Sequence, residues 1–244
     1  MIKDIANNSR RKWLYESYEN NAWIKKMVEV YVKPNHWENN NSPIVLPFSI
    51  QSAIYDGING DLKIKSLLQT VKSYAKNKVL ILLSEGAHVH ALTLKHHTYE
   101  NAHLAIKEEA NHLLERFKDY FSGCEVNFWD DFVWKNSNYE KFKTLLQQEY
   151  DSNESLRSVI QSDVERLHEY MDPQISTDKK LFQEKSTLDL LEMLTGFMVM
   201  HAEGYKVVIY PGSMPNSFLY LQNFTDFNSM FINASIKIRN LVAA

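Results

Sequence analysis

The chain has 244 residues, a net charge of −3, 44% hydrophobic and 23% charged content, which are ordinary globular values with ample chain to bury a core. The acidic balance argues against a protein that coats nucleic acid nonspecifically, and the single cysteine, Cys124, excludes an intrachain disulfide or a cysteine metal cluster. The first eight residues lack the apolar segment of a secretion signal. No run approaches the roughly 20 apolar residues of a bilayer span, and neither GxGxxG nor GxxxxGK[ST] occurs. A soluble, cytoplasmic protein without a dinucleotide or P-loop site is the expectation.

In chain order, Leu14, Tyr18 and Ala22 fall at helical spacing, so residues 9–26 read as a helix with Arg10, Arg11, Lys12, Lys25 and Lys26 at its two ends. Residues 27–33 alternate, with Val28, Val30 and Val32 on one face, and read as a strand. An Asn- and Pro-rich loop covers 34–43. The apolar run 43–48 then ends abruptly at Ser49, before a polar turn containing Gly57 and Gly60. Ligands in open α/β sheets sit beyond the carboxyl ends of strands, so a serine there is a candidate nucleophile; a capping serine is the alternative.

Leu62, Ile64, Leu67, Leu68, Val71 and Ala75 mark a helix over 61–76. The continuous apolar run 78–83 suits a strand buried on both faces. A long helix from Thr98 to Phe121, a strand over 124–129 and helices at 136–149 and 152–170 follow. Residues 171–177 break the pattern. A Leu- and Met-rich helix covers 186–203 with Gly204 as its stop, a strand covers 205–210, and 236–242 closes the fold as strand or helix. Strands alternating with helices imply parallel βαβ units. The fold class is therefore α/β, a Rossmann-like three-layer sandwich with a mostly parallel central sheet, in one domain over 1–244.

His88, His90, His96, His97 and His103 cluster near Glu85 and Glu100, but HExxH is absent and no i, i+4 histidine pair occurs. Surface or packing histidines are the expectation, and no metal is assigned. Asp130 and Asp131, between Trp129 and Trp134, read as a solvated turn rather than a carboxylate pair. GxSxG is absent, so a hydrolase elbow at Ser49 is not supported. Glu192 sits among Leu188, Leu190, Leu191, Met193 and Leu194, where a carboxylate must be paired, functional or turned to solvent. Asp189 is read as solvent-facing.

Three stretches together resemble the tRNA-dependent cyclodipeptide synthases, whose fold is like the catalytic domain of class I tyrosyl- and tryptophanyl-tRNA synthetases without the ATP machinery. They are Leu46-Pro47-Phe48-Ser49-Ile50-Gln51-Ser52-Ala53-Ile54-Tyr55; the 79–94 segment, with the helix around Asn111 after it; and Leu188-Asp189-Leu190-Leu191-Glu192-Met193, followed by Val207-Val208-Ile209-Tyr210-Pro211. The resemblance implies Ser49 as acyl acceptor, with Glu192 and Tyr210 as its catalytic partners. It also implies Ser52, Leu188 and Pro211 in substrate binding, no cofactor, and aminoacyl-tRNA as partner, with no membrane or DNA. Leu188 stands where the family has a tyrosine, and Pro47 where it has glycine. Glu108 and Glu109 lie on a helix usually rich in Lys and Arg, and acidic side chains there repel phosphate. An alternative register places Leu46 at the serine position. Arg10, Arg11, Lys12, Lys25 and Lys26 offer a substitute tRNA surface. A related acyltransferase or hydrolase with a small-molecule substrate, or a catalytically silent binding protein, remains open on these departures.

Overall fold

A computed structural model describes residues 3–7, 10–19, 22–33, 41–49, 57–75, 77–84, 98–170, 179–211, 214–222 and 230–241. Among these residues eight strands form one sheet in the order β1-β2-β3-β8-β7-β4-β5-β6. They are β1 (Lys3–Asn7), β2 (Arg10–Glu19), β3 (Ala22–Lys33), β4 (Ile44–Ser49), β5 (Val79–Ser84), β6 (Glu125–Phe128), β7 (Val207–Pro211) and β8 (Met230–Leu241). The helices are α1 (Gly57–Tyr74), α2 (Tyr99–Phe121), α3 (Tyr139–Ser152), α4 (Glu154–Tyr170), α5 (Lys179–Ala202) and α6 (Asn216–Leu221), with a π-helical turn over Asp130–Trp134. Strands β8, β7, β4, β5 and β6 are mutually parallel, while β1, β2 and β3 continue the sheet antiparallel beyond β8. The mostly parallel three-layer sandwich expected from the sequence is present.

The apolar run of β4 is continuous because both faces are covered. Ile44, Leu46 and Phe48 join Leu67, Leu68 and Phe117 of α1 and α2 in one core. Val45 joins Leu80, Leu82, Leu190 and Leu194 in a second core beneath α3, α4 and α5. Strand alternation therefore assigns positions 45 and 47 to the α5 face.

Several local readings are corrected. Residues 9–26 are no helix: β2 and β3 pair antiparallel from Arg10↔Tyr31 to Glu19↔Ala22, separated only by Asn20 and Asn21. The i+4 spacing of Leu14, Tyr18 and Ala22 was coincidental; β-forming Trp, Tyr and Ile dominate, and Tyr15 locks β2 onto α1 through a 2.8 Å hydrogen bond to Ser66. Gly57 and Gly60 start α1 rather than forming a turn. Helix α5 begins seven residues before the expected Ser186, at Lys179. The closing element is a strand, β8. Thr98 does cap α2, its side chain accepting from Asn101 N at 3.3 Å. Gly204 does stop α5: at φ 89° it lets Tyr205 N reach Met200 O at 3.0 Å. The expected loop 34–43 falls outside the described residues up to 40, as does the break at 171–177.

Candidate active site

The topology itself selects a place for ligands. From β4 the chain winds through α1 to β5 and through α2 to β6. It then returns across the sheet through α5 to β7, on the other side of β4. The switch point lies between β4 and β7, and in open α/β sheets the ligand crevice lies outside the carboxyl ends at such a point. The ladder supports this: β4 pairs with β7 only at Ile44↔Val207 and Val45↔Val208, but with β5 all the way to Ser49↔Ser84. Pro47 has no N–H to donate, and it stands where the β7 ladder has already ended, so a proline is tolerated in a central strand.

Ser49 ends β4 on the rim of that crevice. Its backbone is held by β5, and Ser84 Oγ donates to Phe48 O at 3.2 Å, bracing the peptide unit immediately before it. Tyr210 stands on the opposite rim, one residue from the end of β7. Its alternation with Val208 places it on the α5 face. Burial, and then the nearby Asp189 charge, push its phenol up to about 12, so it stays neutral and available as a donor at neutral pH. Phe218 packs edge-on against its ring at 5.2 Å. Phe218 is in turn seated by Asp163, a buried carboxylate that accepts from Asn216 N at 3.0 Å and Ser217 N at 2.7 Å.

Glu192 is half-buried on α5, and both its hydrogen bonds to indoles use one oxygen. Trp129 Nε1 donates to Oε1 at 3.2 Å and Trp134 Nε1 at 2.9 Å. Burial raises the carboxyl above its usual range, and the two indole bonds oppose that rise because they favour the charged form. Trp129 is fixed in turn. It is 3% exposed, and its ring lies so close over Gly196 that a Cβ there would meet Cη2 and Cζ2 at 2.3 Å. A glycine in mid-helix is thus required by packing. The π-helical turn turns Trp129 and Trp134 to one carboxylate; such irregular turns are frequent at functional sites.

The readings of the acidic residues change accordingly. Asp130 is buried rather than solvated, whereas Asp131 is exposed and paired with Lys135. Asp189 is not on the solvent side. It is half-buried on α5, and burial followed by the Glu192 charge pushes it up to about 7. Leu188 is 57% exposed and lines an outer groove of about 540 Å³ between α3, α4 and α5, with Gln147, Tyr150 and Leu191. It is not brought together with Tyr210. Pro211 pairs with Ala234 beside Tyr210. Ser52, His88, His90, His96 and His97 lie outside the described residues, and the side chain of His103 is likewise not described. Among the described residues no group of three His, Cys, Asp or Glu side chains is arranged to hold a metal ion. Likewise, no described helix is long and apolar enough to cross a membrane.

No protein-family model matches this sequence, and no curated protein matches it. Solved structures do. A cyclodipeptide synthase from Fluoribacter dumoffii superposes with a TM-score of 0.73 at 17% identity, over 88% of this chain and 99% of that one. The chain has the cyclodipeptide-synthase fold. A cyclodipeptide synthase from Candidatus Glomeribacter gigasporarum, bound to Phe-tRNAPhe, superposes at 0.58 and 16% identity, over 80% and 88% of the two chains. Tyrosyl-tRNA synthetase of Leishmania major, in complex with tyrosinol, superposes at 0.51 and 11% identity, over 80% of this chain and 32% of that one. The synthetase-like class expected from the sequence is therefore the observed one.

Trp129 and Trp134, which hold Glu192, and Ser84, which braces β4, were not put forward from the sequence. Only Trp129 and Trp134 left a signal: two tryptophans flanking a pair of aspartates is a costly composition for a solvated turn.

Proposed function

We propose that the protein is an aminoacyltransferase of the cyclodipeptide-synthase kind, joining two aminoacyl groups from aminoacyl-tRNA into a cyclic dipeptide by way of an aminoacyl ester on Ser49. The observation that carries this reading is the switch point between β4 and β7, with Ser49 at the end of one strand and Tyr210 near the end of the other. Ser49 attacks the ester carbonyl of the first aminoacyl-tRNA. That ester is already activated, so the absence of a P-loop motif is consistent with the reaction. Tyr210, kept neutral by burial, donates a hydrogen bond near the serine oxygen. Glu192 leaves Oε2 clear of the two indoles, and that oxygen holds the α-ammonium by a charge-assisted bond. Pro211, beside Tyr210, contributes to substrate binding, as the resemblance implies for Ser52, and the reaction runs in the cytoplasm, where charged tRNA is found.

The charge distribution supports a tRNA surface on the antiparallel strands. By register Arg10, Lys12 and Lys25 fall in one alternating set with Lys237 and Arg239, while Arg11 and Lys26 fall on the α1 side. Lys12 and Arg239 flank buried Glu29 at 3.9 Å and 3.5 Å. Lys12, Lys237 and Arg239 of this set offer phosphate contacts that do not depend on α2, where Glu108 and Glu109 are exposed.

Expression in a bacterial host, followed by mass spectrometry of the medium, tests the reading. A new cyclic dipeptide is expected from wild type and none from Ser49→Ala. Its absence from well-folded wild type would sink the proposal. The exposed acid of α2 favours one second reading, a transferase or hydrolase acting on a small-molecule ester. For that reading Ser49 acylates from small esters but not from charged tRNA, as intact-protein mass would reveal.

A further inference from the structure

Helix α6 follows the carboxyl end of β7 and has six residues. That is well short of the roughly 12–15 residues at which an isolated helix becomes even marginal in water, so its place is set by what it is tied to. Its N-cap is Pro215, whose side chain offers no acceptor to the first helical amides. The acceptor comes from another helix. Asp163 of α4 is 1% exposed; its Oδ1 accepts from Asn216 N at 3.0 Å and its Oδ2 from Ser217 N at 2.7 Å. Arg166, one turn further along α4, donates through one nitrogen to Asp163 Oδ1 at 3.2 Å and to Met214 O at 3.3 Å. Three positions of the chain that leaves β7 are thus fastened to α4 around one buried carboxylate.

The fastening leads to Tyr210. Phe218, the third residue of α6, is fully buried and meets three rings: Phe197 of α5 at 4.7 Å, Phe231 of β8 at 5.9 Å and Tyr210 of β7 at 5.2 Å. The ladder with Asn233 of β8 holds the backbone of Tyr210. The Phe218 ring, at 86° to the phenol ring, bears on the side chain itself.

We propose that Asp163 is a positioning residue of the reaction proposed above: by pinning the first amides of α6 it fixes the Phe218 ring, which orients the Tyr210 hydroxyl toward the Ser49 oxygen. The inference rests on that reading of Ser49 and Tyr210. No chemical step is assigned to Asp163 itself.

The choice of residue suits placement. A carboxylate taken out of water is costly unless hydrogen bonds satisfy its oxygens, and here three donors do so. An apolar side chain would hold α6 against α4 by burial alone, which is non-directional. Charge-assisted bonds to two consecutive amides fix distance and angle together, and a helix N-terminus suits a negative charge. A misplacement of about 1 Å at a reacting centre costs on the order of 10²-fold in rate, so slack in α6 reaches the chemistry through Phe218.

A double-mutant cycle on acylation tests the role. The Ser49 adduct is quantified by intact-protein mass after enzyme is mixed with one aminoacyl-tRNA over a range of concentrations. Asp163→Asn keeps the volume and loses one of the two acceptor oxygens. It is expected to lower the rate at saturating aminoacyl-tRNA about ten-fold, with half-saturation within about two-fold of wild type. Asp163→Ala, which loses both oxygens, should fall further. In a Tyr210→Phe background, where the hydroxyl to be placed is gone, Asp163→Asn should change the rate by less than about two-fold. Phe218→Leu leaves the carboxylate and its bonds in place and should show the same dependence on Tyr210, which carries the test if Asp163→Asn does not fold. Losses from Asp163→Asn and Tyr210→Phe that multiply overturn the role and leave Asp163 a tie between two helices. Wild-type acylation by Asp163→Asn or by Phe218→Leu overturns it too. Tyr210→Phe that acylates as wild type does, or wild type that forms no adduct on Ser49, overturns the reading on which the inference rests, and the inference with it.

Discussion

The two halves of the sheet solve different problems. In β4, β5 and β7 nearly every side chain is apolar and both faces are covered, so the strands read as uninterrupted hydrophobic runs. In β2, β3 and β8 one face packs on α1 through Val28, Val30 and Val32 while the other alternates through Lys12, Glu29, Lys237 and Arg239. The parallel half holds its backbone rigidly enough to present Ser49 and Tyr210 on facing rims. The antiparallel half adds charge without touching that pocket. If this division is right, substitutions in the first half should damage chemistry or packing, and substitutions in the second should damage association alone.

The largest effect expected is at Ser49. Ser49→Ala should abolish both the acyl adduct and the cyclic product, a loss of at least about 10³-fold in single-turnover rate, with the melting temperature unchanged. A mutant that kept its product would break the comparison at once, because the crevice would then have no chemical role.

Next is Gly196→Ala. The added Cβ would meet Trp129 at 2.3 Å, so the indole or the helix must shift. Overpacking of this kind costs about 1–3 kcal/mol and a few degrees of melting temperature. Because the same indole holds Glu192, activity should fall as well. Equal melting curves for mutant and wild type would mean that the wall around Glu192 is looser than its packing implies.

In the antiparallel half, Lys25→Gln and Lys237→Gln should each weaken tRNA binding a few-fold at low salt and reduce the salt slope by about 1, leaving the rate of transfer from a preformed adduct unaltered. Lys12 and Arg239 are left in place because they neutralise buried Glu29. Unchanged salt slopes would detach this face from RNA and favour the small-molecule ester reading.

The two halves also differed in how legible they were. Strands β4, β5 and β7 and helices α2, α3, α4 and α5 were readable because long apolar runs and helical stripes are local signals. Arg10 to Lys33 was half misread: a twelve-residue strand with mixed faces mimics helical spacing over short windows, and its pairing with β8 is set by residues some 200 positions away. Of the proposed site, Ser49, Glu192 and Tyr210 were put forward from their order along the chain. Asp189 was read as solvent-facing from helical phase alone, and the structure leaves it half-buried. The Trp129–Glu192–Trp134 clamp joins positions about 60 residues apart, and no spacing rule reports such a contact.

The smallest effect tests that clamp. Trp134→Phe keeps most of the apolar contact and removes one of the two donors to Glu192 Oε1. A lost hydrogen bond to a charged group costs about 1–3 kcal/mol. The sign with pH follows from the direction of the shift. Glu192 is already raised by burial, and the indole bond opposes that rise, so its removal raises the carboxyl further. The acidic limb of the pH–rate profile should therefore move to higher pH. A carboxyl whose folded value lies above its unfolded value binds more protons in the native state, so stability falls as pH rises through that window. The mutant should accordingly lose more stability at pH 8 than at pH 5, measured by urea unfolding at both. An acidic limb that stayed in place would show that Glu192 does not set it.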